Sequence, residues 1–179
     1  IDRTNPRKTA TSVRRVIVRA PKLVNIVADK TQEHAMATCG YDDDGVKTGR
    51  WHLIKDGLFV DYQTTRDQAH LIGQKSSHGC SYADNWSSVP FQRMPNVSLQ
   101  PNDKAVSEQD IIAATEDGVY VKGDSSYSID HQRYNFQFSG QTFWEVKKGK
   151  IAGQLRDVAY QSNTPDFWKS LDMLGGRAT

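Results

Sequence analysis

The stretch at residues 142–160, TFWEVKKGKIAGQLRDVAY, decides the predicted fold class of this 179-residue chain. Its two segments, residues 142–147 and 151–160, are predicted as strands on either side of Lys148-Gly149. A glycine-containing dipeptide between two such segments provides the positive φ angles of a tight turn. The stretch therefore predicts an antiparallel hairpin.

The same pattern recurs along the chain. Residues 51–55 and 58–62 flank Asp56-Gly57 and predict another hairpin. Apolar and polar residues alternate in other segments with the period of a half-buried strand. Four further strands are predicted at residues 13–18, 23–27, 118–122 and 134–138.

Helices are few and short. Ser107 lies three residues before Asp110, the spacing of a capping box, and an apolar run follows. Thr164-Pro165-Asp166 combines a cap, a first-turn proline and an acid that complements the helix dipole, so it predicts the start of a second helix. A third is predicted over residues 64–72. Residues 73–103 show little periodicity and are predicted as a long irregular segment, which is often functional.

These elements predict a β-dominated α+β fold. Antiparallel hairpins are expected to form a sandwich or barrel-like sheet, with a few short helices at its edges. The alternatives of sandwich and barrel stay open, because the sequence does not specify how the hairpins pair with one another.

Composition limits the class of protein. The net charge is +2, and no apolar run approaches the roughly 20 residues of a membrane helix. The start of the chain has no apolar signal-peptide stretch, so a cytoplasmic location and no membrane partner are expected. Nucleic acid is not an expected partner. The basic run at residues 3–19 is either an arm for nucleic acid or a frayed terminus that leads into an edge strand.

The sequence offers no complete catalytic or metal site. No histidine is followed by glutamate, so the helical zinc-peptidase signature is absent. His78-Gly79-Cys80 offers two ligands from one loop, with His70 as a third candidate, but no second cluster lies nearby. The acidic run at residues 42–45 lacks the glutamate that ends a calcium loop, which favours an acidic turn. No catalytic and no metal-binding residue is predicted.

A string of motifs nevertheless resembles the C-terminal half of the TldD/PmbA family of zinc metallopeptidases, once called modulators of DNA gyrase. The motifs are specific in their order and spacing rather than singly, and the resemblance covers roughly residues 9–176. They are GYDDDGV at 40–46, LIKDG at 53–57, QRMPNVSL at 92–99, GVY at 118–120, SID at 128–130, YNFQF at 134–138 and GQLRDVAY at 153–160.

The resemblance implies what the chain lacks. In the family, zinc is held by two histidines of an HExxxH helix and by a cysteine, which would lie before residue 1 and after residue 179. Residues 1–8 match nothing in the family, and residues 9–179 are expected to be an incomplete C-terminal domain without the metal-ligand segments on both sides. Zinc is thus expected in the intact parent protein and not in this chain, which is expected to be inactive alone.

Three residues are predicted to bind substrate. Arg93 and Asn96 lie in the irregular segment, within one of the better-matched motifs, and are predicted to hold or line the substrate channel. The alternative is that Arg93 pairs with a buried acid and Asn96 closes a turn. Asp130, at the entrance to a strand, either anchors a loop by accepting backbone N–H bonds or faces the cleft and accepts an N–H of a bound peptide.

The resemblance also implies partners. Unfolded peptides are the expected substrates, pairing with strand edges near the metal. A dimer, either with itself or with a related chain, is expected. The alternative function is a non-catalytic peptide- or protein-binding module that uses strand edges, and a third hypothesis is a nucleic-acid binder that uses the basic run.

Overall fold

The structure, a computed structural model, describes residues 21–177. They divide into two compact units, one ending at Gln100 and the other beginning at Pro101. The strand predicted at 13–18, the basic run and the boundary between residues 8 and 9 lie outside the described residues. No helix within residues 21–177 has the length and apolar character needed to cross a bilayer.

The first unit contains a four-stranded antiparallel sheet of order β3-β2-β1-β6 and a two-stranded sheet of β4 and β5. Its core is a cluster of Ala28, Trp51 and Cys80, with Leu53 packed against it. Its elements are β1 (Ile26–Asp29), β2 (Arg50–Lys55), β3 (Leu58–Phe59), α1 (Arg66–Ala69) with a 3-10 turn (His70–Ile72), β4 (Ser81–Tyr82), β5 (Phe91–Gln92) and β6 (Asn96–Leu99).

The predicted hairpin around Asp56-Gly57 is confirmed, and both residues have positive φ. The strand predicted at 23–27 begins only at Ile26, because the Val24 amide donates to the Pro21 carbonyl and closes a turn there. The segment 73–103 is less irregular than predicted, since β4, β5 and β6 all lie in it.

The second unit contains two three-stranded antiparallel sheets, of orders β11-β10-β7 and β12-β9-β8. Phe143 and Val146 of β10 are its buried hydrophobic side chains. Its elements are α2 (Glu108–Ala114), β7 (Asp117–Lys122), β8 (Tyr127–Ile129), β9 (Asn135–Ser139), β10 (Thr142–Lys147), β11 (Lys150–Leu155), β12 (Ala159–Asn163) and α3 (Thr164–Lys169).

The second unit confirms the hairpin at Lys148-Gly149, where both φ angles are positive. The strand predicted over 151–160 is wrong in extent, because it divides into β11 and β12, which belong to different sheets. Asp157, at φ 54°, interrupts the extended backbone between them. The Ser107 capping box is confirmed, whereas α3 is capped by Asn163, one residue before the predicted cap.

The β-dominated α+β class with short helices is therefore confirmed. Every ladder among the described strands is antiparallel. None of the four sheets closes into a barrel within residues 21–177.

Candidate functional site

His78 and Cys80, which the sequence offers as two ligand types from one loop without predicting a metal site, lie against the core of the first unit. Cys80 is fully buried, and this burial raises the pKa of its thiol to about 11. The His78 ring stacks on Trp51 with 4.3 Å between centroids and 5° between planes. Each side chain is thus held by protein contacts. In the part of the chain that the structure describes, no three His, Cys, Asp or Glu residues are grouped to hold a metal ion.

Asp61 and His78 instead form an acid–base pair at the edge of this core. His78 Nε2 lies 2.8 Å from Asp61 Oδ2, and each side chain is about a quarter exposed. Gln74 Nε2 donates to Asp61 Oδ1 at 2.5 Å. Partial burial acts to raise the pKa of Asp61, but hydrogen bonds from His78, the Tyr62 backbone and Gln74 outweigh it, so that the pKa is lowered.

No motif reveals this pair in advance. The two residues are 17 positions apart, and only the fold brings His78 onto the segment that follows β3. The stacked Trp51 donates its indole N–H to the Tyr62 carbonyl at 3.0 Å, which holds that segment in place. The pair therefore joins two loops of the first unit.

The acidic run at residues 42–45 forms the turn that the sequence favoured. Asp42 is buried, and its Oδ1 accepts from the Val46 amide at 2.8 Å and from the Asp44 amide at 3.1 Å. Its Oδ2 accepts from the Ser81 amide at 3.0 Å. The carboxylate is committed to backbone N–H groups, which fixes this loop to β4.

Arg93 lies beside two exposed aromatic rings of the β4–β5 hairpin. Its guanidinium carbon is 5.6 Å from the centroid of Phe91 and 6.0 Å from that of Tyr82. Trp86, in the connecting loop, is 98% exposed. Among residues 21–177 no carboxylate lies within ion-pair distance of Arg93. The alternative of a buried acid partner is thus not realised in the described part.

Asn96 opens β6 and ties a loop to the sheet. Its Oδ1 accepts from the Ala37 amide at 2.9 Å, and its Nδ2 donates to the Asp29 carbonyl at 2.8 Å and to Thr38 Oγ1 at 3.1 Å. The side chain therefore has the loop-closing role of the alternative interpretation. A role in substrate binding stays a prediction.

Asp130 directly follows β8 in the second unit. It accepts from the Tyr134 amide at 2.8 Å and from the Asn135 amide at 2.9 Å, and Asn135 Nδ2 adds a bond of 2.9 Å. The backbone bond from Asn135, followed by that from Tyr134, lowers the pKa of the Asp130 carboxyl. This geometry is that of the anchoring interpretation, and contact with a peptide stays a prediction.

A cavity of about 430 Å³ lies in the second unit between α2 and the sheet of β11, β10 and β7. Tyr120 and Trp144 line it as a stacked pair, with 5.2 Å between centroids. No pattern in the sequence indicates this cavity. Alternating apolar residues indicate one face of each strand, but only the ladder, which pairs Tyr120 with Trp144, makes the two rings neighbours.

Comparison with known proteins decides the family. The PmbA/TldA metallopeptidase C-terminal domain matches residues 18–179. The chain belongs to this family. The metalloprotease TldD homolog of Buchnera aphidicola subsp. Schizaphis graminum is 28% identical over 156 residues, which are 87% of this chain and 32% of that protein.

A second relative and a solved structure are also similar to this chain. The zinc metalloprotease TldD homolog of Saccharolobus solfataricus is 25% identical over 138 residues, covering 75% of this chain and 29% of that protein. The crystal structure of TldE from Thermococcus kodakarensis has a TM-score of 0.73 at 19% identity, covering 88% of this chain and 35% of that one. The latter similarity is one of fold.

The chain spans about a third of the length of these curated relatives. Zinc appears in the name of one of them. The described residues do not fit a zinc site of their own, because His78 is bonded to Asp61 and stacked on Trp51 while Cys80 is buried in the core. No step of a metal-dependent reaction is assigned to these residues.

Proposed function

We propose that this chain is the substrate-channel and support domain of a TldD/PmbA-type zinc metallopeptidase that cleaves unfolded peptides. Zinc and the catalytic groups would come from residues of the parent protein outside those described. The parent would act in the cytoplasm as a dimer, with itself or with a related chain. A substrate in extended conformation would add to strand edges of this domain.

One observation carries the proposal: two of the three predicted substrate residues adjoin edge strands. Among the strands of residues 21–177, β6, which begins at Asn96, is an edge of its sheet, and β8, which Asp130 follows, is an edge of another sheet. Edge strands have unpaired N–H and C=O groups that an extended peptide can bind. Arg93 lies three residues before β6 and adds a positive charge beside exposed aromatic rings.

Arg93→Ala in the intact parent enzyme tests the proposal. Because Arg93 forms no ion pair with the described residues, we expect peptidase activity to fall severalfold while Tm stays unchanged. Arg156→Ala, which removes an exposed arginine from the second unit, is the matched control and should leave both quantities unchanged. A fall in Tm with activity preserved below it would contradict the proposed role.

The same open edges also favour a second candidate, a non-catalytic peptide- or protein-binding module. In that case the purified chain would bind an extended peptide, but the intact parent protein would not cleave it at any zinc concentration. Cleavage by the intact protein, lost on removal of zinc and restored on its return, would exclude this second candidate.

A further inference from the structure

We propose that the cavity between α2 and the sheet of β11, β10 and β7 binds the guanidinium group of an arginine side chain. This inference rests on the proposed function in one respect, since it takes the arginine to belong to a peptide substrate. The cavity lies entirely within the second unit, and none of Arg93, Asn96 and Asp130 lines it.

The aromatic pair supplies the first part of the site. Tyr120 of β7 and Trp144 of β10 are register partners, and their rings stack with 24° between planes. Both side chains are only half-buried, and both line the cavity. The face of an aromatic ring attracts a cation, and tryptophan does so more strongly than tyrosine or phenylalanine.

Glu108 supplies the second part. It is half-buried at the start of α2 and lines the cavity together with Tyr120. Partial burial, followed by the interaction with the Glu108 carboxylate, raises the pKa of the Tyr120 hydroxyl. In the part of the chain that the structure describes, Glu108 has no ion-pair partner. Its carboxylate is therefore an anion on the cavity wall that forms no ion pair with a described cation.

The shape of the wall favours a guanidinium over other cations. Ile112 and Ile151 complete an apolar lining that accommodates the aliphatic part of a long side chain. A guanidinium is planar, so it stacks on an aromatic ring and still forms two parallel hydrogen bonds to a carboxylate. An ammonium group is a compact, strongly hydrated point charge and cannot do both.

One charge opposes the ligand. Lys150, the exposed first residue of β11, also lines the cavity, and its ammonium repels a bound cation. Removing this charge is therefore expected to tighten binding, whereas removing the Glu108 charge is expected to weaken it. Binding of an apolar ligand would change with neither substitution. Binding of an anionic ligand would change in the opposite direction with both.

The test uses the full chain with Nα-acetyl-arginine amide as the probe and the matching citrulline amide as its uncharged isostere. Binding is followed by the shift of the Trp144 indole N–H resonance. We expect saturable binding of the arginine probe and about tenfold weaker binding of the citrulline probe. Glu108→Gln should lower the affinity for the arginine probe about fivefold, and Lys150→Gln should raise that affinity about twofold. Equal binding of the two probes, or no saturable shift, would overturn the inference.

Glu108→Gln is the primary variant, and an unchanged amide spectrum establishes that it folds. Failure of the arginine-site inference can be distinguished from failure of the proposed peptidase function. If Arg93→Ala lowers peptidase activity but the arginine probe does not bind, only the cavity inference falls. If the probe binds but the intact protein cleaves no peptide, the arginine site stands and the proposed peptidase role falls.

Discussion

The two units of this chain are stabilised in different ways, although both are built from short antiparallel strands. Seven of the nine buried hydrophobic residues of the described part belong to the first unit, and two belong to the second. Those of the first unit are Val24, Val27, Ala28, Trp51, Ile54, Ala69 and Cys80. The core of the second unit consists of Phe143 and Val146, and several of its aromatic side chains remain exposed, such as Tyr127 at 74%.

Polar contacts follow the same division. The first unit buries charged and polar side chains, and no buried side-chain N or O atom of the described residues lacks a hydrogen-bond partner. Lys30 Nζ, for example, donates to the Gly79 carbonyl at 2.8 Å. In the second unit, polar side chains at the surface cap the ends of elements instead. The Asp110 carboxylate accepts from the Ser107 amide, the Asp130 carboxylate from the Asn135 amide, and Asn163 Oδ1 from the Asp166 amide. The stability of the first unit therefore depends mainly on its interior. The stability of the second unit depends mainly on local turns and caps at its surface.

A matched pair of tryptophan substitutions provides the strongest test of this difference between the two units. Trp51→Ala removes a 91%-buried ring, its stacking on His78 and its bond to the Tyr62 carbonyl. We expect it to lower the free energy of unfolding of the first unit by about 3–5 kcal/mol. Trp144→Ala, which removes a half-buried ring of the second unit, should cost about 1–2 kcal/mol.

The two effects are measured by denaturant unfolding combined with hydrogen exchange, which reports the amides of β1–β2 and β7–β10 separately. The phenylalanine variants at both positions serve as controls, because they retain a ring of reduced size. Equal losses for the two alanine variants would contradict the difference between the units.

Local signals in the sequence were sufficient for the hairpins and helix starts. Asp56-Gly57 and Lys148-Gly149 specify their turns, because the positive φ angles concern only the dipeptide itself. Ser107 caps α2 through Asp110, three residues away. By contrast, the segment that contains β6 was predicted as irregular, because β6 pairs with the distant β1 and the side chain of Asn96 bonds to Asp29, 67 positions away. Pairing at such a distance leaves little local signal.

The candidate sites were predictable to a smaller degree. Family motifs directed attention to Arg93, Asn96 and Asp130, and the structure shows what each of them contacts. The Asp61–His78 pair and the cavity beside Trp144 carry no motif, because their members come together only through the sheet and loop packing. Sequence spacing can identify functional side chains that lie on one helix or strand. A site assembled from several elements can be identified only once the fold is known.

A smaller effect is expected from the Asp61–His78 pair, and it depends on pH. The pKa of Asp61 is lowered in the folded state, so its contribution to stability is present above the unfolded value of about 4 and is lost as pH falls through the folded pKa. Asp61→Asn should therefore cost about 1 kcal/mol near neutral pH and flatten the acid limb of the stability profile. Denaturant unfolding between about pH 3 and 7 measures this. The exposed Asp84→Asn is the control, and an unchanged acid limb for Asp61→Asn would argue against the pair.

The smallest effect is expected at Asp130, in the second unit, where a surface carboxylate holds the loop before β9. Its pKa is lowered by the backbone bonds of Asn135 and Tyr134, so the contribution is again present above the unfolded pKa and lost as pH falls through the folded one. Because the group is at the surface, solvent screens it, and Asp130→Asn should lower Tm less than Asp61→Asn does.

The same variant separates the two roles proposed for Asp130. Asn keeps the shape and one acceptor oxygen while the charge is lost, so anchoring predicts a small fall in Tm at neutral pH that disappears in acid. The exposed Asp124→Asn is the matched control and should leave Tm unchanged. Peptide contact predicts an unchanged Tm and a raised KM in the intact enzyme. If neither Tm nor KM changes, both roles are wrong.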